Sequence, residues 1–279
     1  MMSPLAIAIS TCPNDTFTFH GLMSGAIPTG DVRMDYHLAD VQELNEGVKE
    51  RRFEVAKVSF RAALAFSNDY YVLPVGAALG FGNGPLLLSR DVGRFPGPGD
   101  RVLCPGSATT ADLLFRMFHG ESGAKVEQVL FSEIMPALRA GEADFGVCIH
   151  EGRFTYREEG LALVEDLGKR WEEDTECPLP LGGLVAAKSL GEPLLAKLVD
   201  WIRASLDLAR RDPAAAMPTM RRYAQSLSDD VIRAHVDLYV NDSTRDLGSS
   251  GREALRVFAE RARTVGEPCA DSLVVFTPR

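Results

Sequence analysis

The sequence predicts an α/β protein built from two lobes. Short apolar runs typical of β-strands alternate with amphipathic helical patterns through the first two thirds of the 279 residues. This series begins twice, near residue 5 and again near residue 101, and from residue 193 onward the pattern is helical. The alternation favours largely parallel sheets, and two lobes create a cleft of the kind in which small-molecule sites commonly lie.

The first series of elements is predicted from apolar runs and from residues suited to begin helices. Its strands are residues 5–9, 32–38, 55–58 and 72–75. The turn at residues 12–15 opens a helix over residues 16–24. Asp40 followed by Glu43 resembles a capping box, and Ser59 is suited to cap the third helix.

The second series follows the same pattern. Its strands are residues 101–104, 126–131, 143–149, 161–167 and 184–187. A helix carrying Leu113 follows the first of these strands, and Ser132 with Glu133 opens another.

Two of the apolar runs are predicted to connect the lobes. Residues 86–88 carry the chain into the second lobe, and residues 184–187 carry it back. The larger lobe then comprises residues 1–90 and 186–279, including the helical C-terminal tail, and the smaller lobe comprises residues 91–185.

Composition and charge narrow the class of protein. With 46% hydrophobic and 25% charged residues, the chain has the composition of a soluble globular protein. Its net charge of -9 argues against a nucleic-acid partner, which needs a basic face. No apolar run approaches the ~20 residues of a membrane span, and the apolar start suits a β-strand better than a signal peptide. We expect no membrane partner, and a homodimer stays open.

The cysteines and the histidines do not form a known metal motif. The five cysteines are odd in number and include no C-x-x-C pair, so neither a disulfide framework nor a zinc site is predicted. His150 and Glu151 do not begin an H-E-x-x-H motif, because Phe154 takes the place of the second histidine. We expect a cytoplasmic protein without a metal.

The segment FGVCIHEGRFTY at residues 145–156 is the most informative part of the chain. Residues 146–149 form a short apolar strand bounded by Asp144 and Glu151, and His150 stands at its carboxyl end. Ligand clefts of α/β proteins form at that edge, and a neutral imidazole there can accept a proton near pH 7. Two interpretations stay open: a catalytic base, or a histidine that caps the strand by bonding to a backbone carbonyl.

A glycine-rich loop follows the fourth strand of the first series. Gly80, Gly82 and Gly84 lack the G-x-G-x-x-G spacing of a dinucleotide site, and Pro85 stands where a helix should begin. These glycines predict either a tight loop or a close approach of the backbone to a ligand.

The segment GSATT at residues 106–110 lies between a strand and a helix. Backbone N–H groups at a helix start, together with the hydroxyls of Ser107, Thr109 and Thr110, suit an anionic oxygen. An ordinary helix cap explains the same residues equally well.

Further polar residues stand at predicted strand ends. Lys57, Val58 and Ser59 close the third strand, where Lys57 can pair with an anion and Ser59 can form hydrogen bonds. Taken alone, Lys57 is more readily explained as an ordinary surface lysine than as a ligand residue. Asn14 and Asp15 follow the first strand. Because strand ends of one sheet edge lie close together, these residues should converge with the two segments just described.

Six segments, in order along nearly the whole chain, resemble one family. They are STCPNDTF (residues 10–17), KVS (57–59), GAALGFGNGP (76–85), GSATT (106–110), GVCIHEGRFTY (146–156) and YVNDSTRDLG (239–248). Together they resemble the 1,4-dihydroxy-6-naphthoate synthases of the futalosine route to menaquinone, with the first and fifth segments the most specific.

The resemblance implies a fold like that of type II periplasmic binding proteins, with the active site in the interlobe cleft. It implies a lyase that converts the carboxylate cyclic dehypoxanthine futalosine to 1,4-dihydroxy-6-naphthoate and dihydroxyacetone, without a cofactor. The family's proposed general base maps to His150, and its substrate contacts map to residues 57–59, Thr109 and Thr110. Asn14 and Asp15 are added from their strand-end position alone.

Two other functions stay open. One is chorismate dehydratase, a sister enzyme of the same pathway with a related fold. The other is a non-catalytic protein of the same fold that binds small carboxylates. The segments STCPNDTF and HEGRFTY favour the naphthoate synthase over the dehydratase, and a histidine in the predicted cleft favours an enzyme over a binding protein.

Overall fold

Two β-sheets with helices around them organise the fold. The computed structural model describes residues 3–91, 93–150, 152–224, 228–267 and 273–278. The strands within these residues are β1 (Leu5–Ser10), β2 (Met34–Ala39), β3 (Val55–Ser59), β4 (Tyr70–Val72), β5 (Ala78–Gly80), β6 (Leu86–Ser89), β7 (Arg101–Cys104), β8 (Lys125–Gln128), β9 (Phe145–Cys148), β10 (Ala162–Asp166) and β11 (Leu179–Ala187).

The helices lie between and after these strands. They are α1 (Pro13–Thr18), α2 (His20–Met23), α3 (Val41–Lys49), α4 (Phe60–Phe66), α5 (Thr110–His119), α6 (Phe131–Ala140), α7 (Gly152–Thr155), α8 (Leu167–Thr175), α9 (Glu192–Arg211), α10 (Pro213–Tyr223), α11 (Asp229–Tyr239), α12 (Asp242–Arg245) and α13 (Gly248–Thr264). No helix of the described residues has the length and apolar character needed to cross a membrane.

Both sheets mix parallel and antiparallel strands. The first has the order β2-β1-β3-β11-β4, with β5 paired to β11, and the second has the order β10-β6-β9-β7-β8. β1 is parallel to β2 and β3, and β7 is parallel to β8 and β9. β11 and β6 run antiparallel to all their partners. The prediction of largely parallel sheets was therefore wrong for these two strands, which enter from the other sheet rather than through a βαβ crossover.

Sheet membership shows where the chain crosses between the two sheets. β6 pairs with β9 and β10 in the second sheet, although the boundary after residue 90 placed it in the larger lobe. β11 begins at Leu179 in the first sheet, although the predicted smaller lobe extended to residue 185. The crossings therefore lie between β5 and β6 and between β10 and β11. An apolar run predicts a strand, but its ladder partners depend on tertiary packing.

Side-chain caps begin several helices where the sequence predicts them. Asp40 accepts a hydrogen bond from the backbone N–H of Gln42 at 2.7 Å, and Ser59 accepts one from Arg61 at 3.2 Å. The first helix differs, because it begins at Pro13 rather than at residue 16. Proline suits the first helical turn, where its missing N–H is not needed.

The apolar core follows the alternation of side chains along the strands. Ala8 of β1 belongs to a buried cluster that also contains Val58 of the first sheet and Phe145 of the second. Ile7 and Ile9 point to the opposite face and pack into a cluster with residues of α9. The first of these clusters contains residues of both sheets and therefore holds the sheets together.

The loop between β5 and β6 is fixed by a close backbone contact. A Cβ atom at Gly84 would lie 2.3 Å from the Cα atom of Gly168 in α8. The carbonyl of Gly84 also accepts a hydrogen bond from Nη1 of Arg153 at 2.7 Å. The glycine at position 84 therefore serves a tight, anchored loop, which is one of the two interpretations that the sequence leaves open.

We expect Gly84→Ala to lower the free energy of unfolding by about 1–3 kcal/mol, because two backbone segments must separate to admit the methyl group. Gly120→Ala is the matched control, since no atom lies within 4 Å of its would-be Cβ and its φ is -59°. Urea unfolding of both variants measures the difference. Equal urea midpoints for Gly84→Ala and Gly120→Ala would show that the contact between Gly84 and Gly168 is not tight.

Candidate active site

A pocket lies between the two sheets, at the ends of β1, β3 and β9 and the start of α5. It holds about 700 Å³ of space, part of it open to solvent. Its polar lining residues are Ser10, Asn14, Asp15, Lys57, Ser59, Asn83, Thr109, Thr110, His150, His235 and Tyr239. Val58 also lines it, so the pocket brings together every predicted site residue except Ser107.

A buried ion pair forms the floor of the pocket. The ammonium of Lys57 pairs with Oδ1 of Asp15 and donates to the carbonyl of Gly76 at 3.1 Å, and both side chains are less than a tenth exposed. Asp15 also accepts from Oγ of Ser10 at 2.6 Å and from Nδ2 of Asn14 at 3.0 Å. A buried pair is stable only when further hydrogen bonds support it, and here each oxygen of Asp15 accepts at least one more hydrogen bond and the ammonium of Lys57 donates one more. The charge of Lys57 is therefore balanced inside the protein.

Asn14 connects this pair to a second histidine. Its Oδ1 lies 3.0 Å from Nε2 of His235, which is buried in α11. The ring of His235 lies nearly parallel to that of His150, with centroids 6.2 Å apart, and packs 4.5 Å from the ring of Tyr239. Burial lowers the pKa of His235 well below its ordinary value, and electrostatic interactions with His150 and Lys57 lower it further. His235 is therefore neutral near pH 7.

His150 adopts an uncommon backbone conformation at the end of β9. Its φ of 55° lies in the left-handed region, which non-glycine residues seldom adopt outside special sites. Its Nδ1 lies 3.3 Å from Sγ of Cys12, and its ring packs edge-on against Phe131 at 4.9 Å between centroids. These contacts join the strand end of the second sheet to the start of α1. Glu151 lies outside the described residues.

Ser59 and Thr110 meet across the seam between the sheets. Oγ of Ser59 accepts hydrogen bonds from the backbone N–H groups of Thr110 at 2.9 Å and Arg61 at 3.2 Å. The two hydroxyl oxygens lie 3.1 Å apart. The hydroxyl of Thr110 donates to the carbonyl of Leu181 at 2.9 Å. Both side chains therefore hold the protein together at the pocket wall.

In the GSATT segment, the hydroxyls of Thr109 and Thr110 and the backbone N–H of Thr110 form hydrogen bonds within the protein. Thr109 donates to the carbonyl of Gly106 at 2.7 Å and accepts from the N–H of Asp112 at 3.2 Å, so it is the cap of α5. Ser107 is exposed and lies outside the pocket lining. Ala111 lines the pocket in the first turn of α5, where N–H groups have no partner within the helix.

Four polar residues of the pocket were not predicted from the sequence: Ser10, Asn83, His235 and Tyr239. Asn83 is 1% exposed, and among the described residues neither atom of its amide has a hydrogen-bond partner. It lies between Gly82 and Gly84, and a polar side chain in this glycine-rich loop was the signal that could have identified it. His235 is far from Asn14 in sequence, so no local motif joins them. A usable signal was its spacing of four from Tyr239, which places both on one helix face.

Comparison with known proteins identifies the family. Residues 5–264 match the family model described as menaquinone biosynthesis. A 1,4-dihydroxy-6-naphtoate synthase from Streptomyces coelicolor is 42% identical over 267 residues, which cover 94% of this chain and 94% of that protein. A protein of the same name from Thermus thermophilus is 40% identical over 281 residues, which cover 98% of this chain and 100% of that protein.

A protein of known structure has a similar fold. The periplasmic aliphatic sulphonate binding protein from Escherichia coli aligns with a TM-score of 0.68 at 12% identity, covering 100% of this chain and 94% of that protein. The predicted fold, α/β and similar to periplasmic binding proteins, is thereby confirmed. With a family match over most of its length and two relatives of at least 40% identity, the chain belongs to the menaquinone biosynthesis family.

Proposed function

We propose that this protein is a 1,4-dihydroxy-6-naphthoate synthase. It is a carbon–carbon lyase that converts cyclic dehypoxanthine futalosine to 1,4-dihydroxy-6-naphthoate and dihydroxyacetone. The names of the two full-length relatives support this activity. The observation of the structure that carries it is the position of His150, held in a left-handed conformation at a strand end inside the pocket.

His150 is the general base of the proposed reaction. For Nε2 to accept a proton, Nδ1 must carry the ring hydrogen, and the sulfur of Cys12 at 3.3 Å is placed to accept it. The base removes an acidic proton from the substrate, the carbon–carbon bond to the sugar-derived part breaks, and the ring becomes aromatic. Because the electrons are rearranged within the substrate, the chemistry needs no redox cofactor, and independence of cofactors stays a prediction.

The substrate carboxylate is held at the start of α5. Lys57 is balanced by Asp15, so it does not supply an unpaired positive charge. The first turn of α5 supplies the backbone N–H of Ala111, which lines the pocket, and the positive end of the helix dipole, while the N–H groups of Thr110 and Asp112 donate to Ser59 and Thr109. Ser59 fixes this turn by accepting from the N–H of Thr110. With the carboxylate there, the reacting ring lies toward His150.

The two rival functions predict different chemistry. A chorismate dehydratase would remove water from chorismate, and a solute-binding protein would bind a carboxylate without changing it. The relatives of 40% and 42% identity favour the naphthoate synthase over both.

We expect the purified protein to form product from cyclic dehypoxanthine futalosine and to leave chorismate unchanged. The absorbance of the naphthoate measures this directly. His150→Ala should lower turnover on the order of 10²–10⁴-fold, because the general base is removed. The control is His37→Ala, since His37 is a half-exposed histidine paired with Glu43 and lies outside the pocket lining.

This function is wrong if the wild-type protein dehydrates chorismate or converts neither compound. The role of His150 is wrong if His150→Ala and His37→Ala turn over at the same rate. Circular dichroism of both variants establishes that each is folded before rates are compared.

The Thr110→Val variant tests whether the ligand carboxylate is bound by the hydroxyl of Thr110 or by the backbone at the start of α5. Since the Thr110 hydroxyl donates to Leu181, its removal should lower the free energy of unfolding by about 1–3 kcal/mol through the unpaired carbonyl. Affinity for the product should change by less than about threefold, well under the tenfold that ~1.4 kcal/mol represents. Unfolding and product titration are measured on the same variant. A variant of unchanged stability that binds tenfold more weakly would make the hydroxyl a ligand of the carboxylate.

A further inference from the structure

His235 is a buried side chain of the pocket to which the proposed reaction assigns no role. It is 1% exposed and lines the pocket from α11. Its Nε2 lies 3.0 Å from Oδ1 of Asn14, whereas its Nδ1 has no hydrogen-bond partner among the described residues. A buried ring nitrogen without a partner is costly in a folded protein. Such an atom at a pocket wall indicates a partner on the ligand.

The hydrogen bonds around Asn14 determine which atom of His235 carries the hydrogen. Asp15 is the partner of Lys57 and is a carboxylate, so it can only accept. Asn14 must therefore present its NH2 group to Asp15 and its oxygen to His235. An oxygen accepts, so Nε2 of His235 carries the hydrogen and donates it. In a neutral imidazole the other nitrogen, Nδ1, is then a lone-pair acceptor.

The environment keeps His235 in this neutral form. The residue is buried, and burial is the largest cause of its lowered pKa, followed by electrostatic interactions with His150 and Lys57. Nδ1 thus stays an acceptor near pH 7, and it can pair with a hydroxyl group but not with a carboxylate.

A second side chain of the same pocket also lacks protein partners. Both amide atoms of Asn83 are buried without hydrogen bonds among the described residues. Asn83 lines the pocket beside β5, against which α11 packs. Two buried polar groups without partners in one pocket fit a ligand that carries hydroxyl and carbonyl groups, and they do not fit a purely apolar ligand.

We propose that Nδ1 of His235 accepts a hydrogen bond from a ring hydroxyl of the ligand, and that this contact selects hydroxylated over plain naphthoates. The inference rests on the proposed function for the identity of the ligand. His235 and His150 lie nearly parallel with centroids 6.2 Å apart, so one six-membered ring can reach both. His235 thereby orients the ring whose proton His150 removes.

The test compares two ligands that differ in the hydroxyl groups. Affinities for 1,4-dihydroxy-6-naphthoate and for 2-naphthoate, which lacks both hydroxyls, are measured by titration in oxygen-free buffer. The wild-type protein should bind the dihydroxy compound more tightly. His235→Gln can still donate to Asn14 but has no acceptor at the Nδ1 position. It should lose this preference by roughly tenfold, with unchanged affinity for 2-naphthoate.

His235→Asn is the complementary variant. Its shorter amide places an oxygen near the Nδ1 position and gives up the bond to Asn14, so it should keep most of the preference at lower stability. The proposal is overturned if the wild-type protein binds both ligands equally, or if His235→Gln keeps the full preference. If His235→Gln does not fold, loss of the preference in folded His235→Asn overturns it as well.

The same experiment distinguishes failure of this inference from failure of the proposed function. A protein that converts cyclic dehypoxanthine futalosine, but whose preference does not depend on His235, refutes the inference alone. A protein that does not convert the compound, but loses hydroxyl preference in His235→Gln, refutes the proposed activity and leaves the hydroxyl contact standing.

Discussion

The buried ion pair between Lys57 and Asp15 is the constraint on which the pocket depends. It joins the end of β3 to the helix that follows β1, and Lys57 extends it to the carbonyl of Gly76. Two charges can remain in such a place only if further hydrogen bonds to the two charged groups support them. Ser10 and Asn14 meet that requirement, and in doing so their orientations become fixed. The polar character of the pocket floor follows from this one requirement.

Consequences of the pair extend to both sheets. The orientation of Asn14 assigns the hydrogen of His235 to Nε2, and the charge of Lys57 is balanced by Asp15, which is why we propose the start of α5 for the carboxylate. His150 lies at the end of β9 in the second sheet, and the start of α5 is bonded to Ser59 of the first. The pocket therefore combines a polar floor on the first sheet with the proposed base of the second. In such an arrangement, the relative position of the two sheets determines the distance between base and substrate.

The sequence predicts the local features of this site well. Apolar runs and capping residues place His150, Ser59 and Thr109 at element ends, because these signals depend on neighbours in sequence. The mutual pairing of Lys57 with Asp15 is not predictable in this way, since either side chain could equally have faced a ligand. His235 reaches Asn14 across 221 residues, a distance that no local pattern spans. The ladder partners of β6 and β11 could not be predicted for the same reason, because they are decided by the packed fold.

In the proposed reaction, the substrate binds between the two sheets, with its carboxylate at the start of α5 and its reacting ring between His150 and His235. A crystal structure with 1,4-dihydroxy-6-naphthoate bound tests it most directly. The expected complex has the carboxylate within hydrogen-bonding distance of the backbone N–H of Ala111 at the start of α5, with the Lys57–Asp15 pair intact. A product bound in the open groove lined by Met217, Arg221 and Val236 would contradict it, as would a Lys57 that leaves Asp15 to bind the carboxylate.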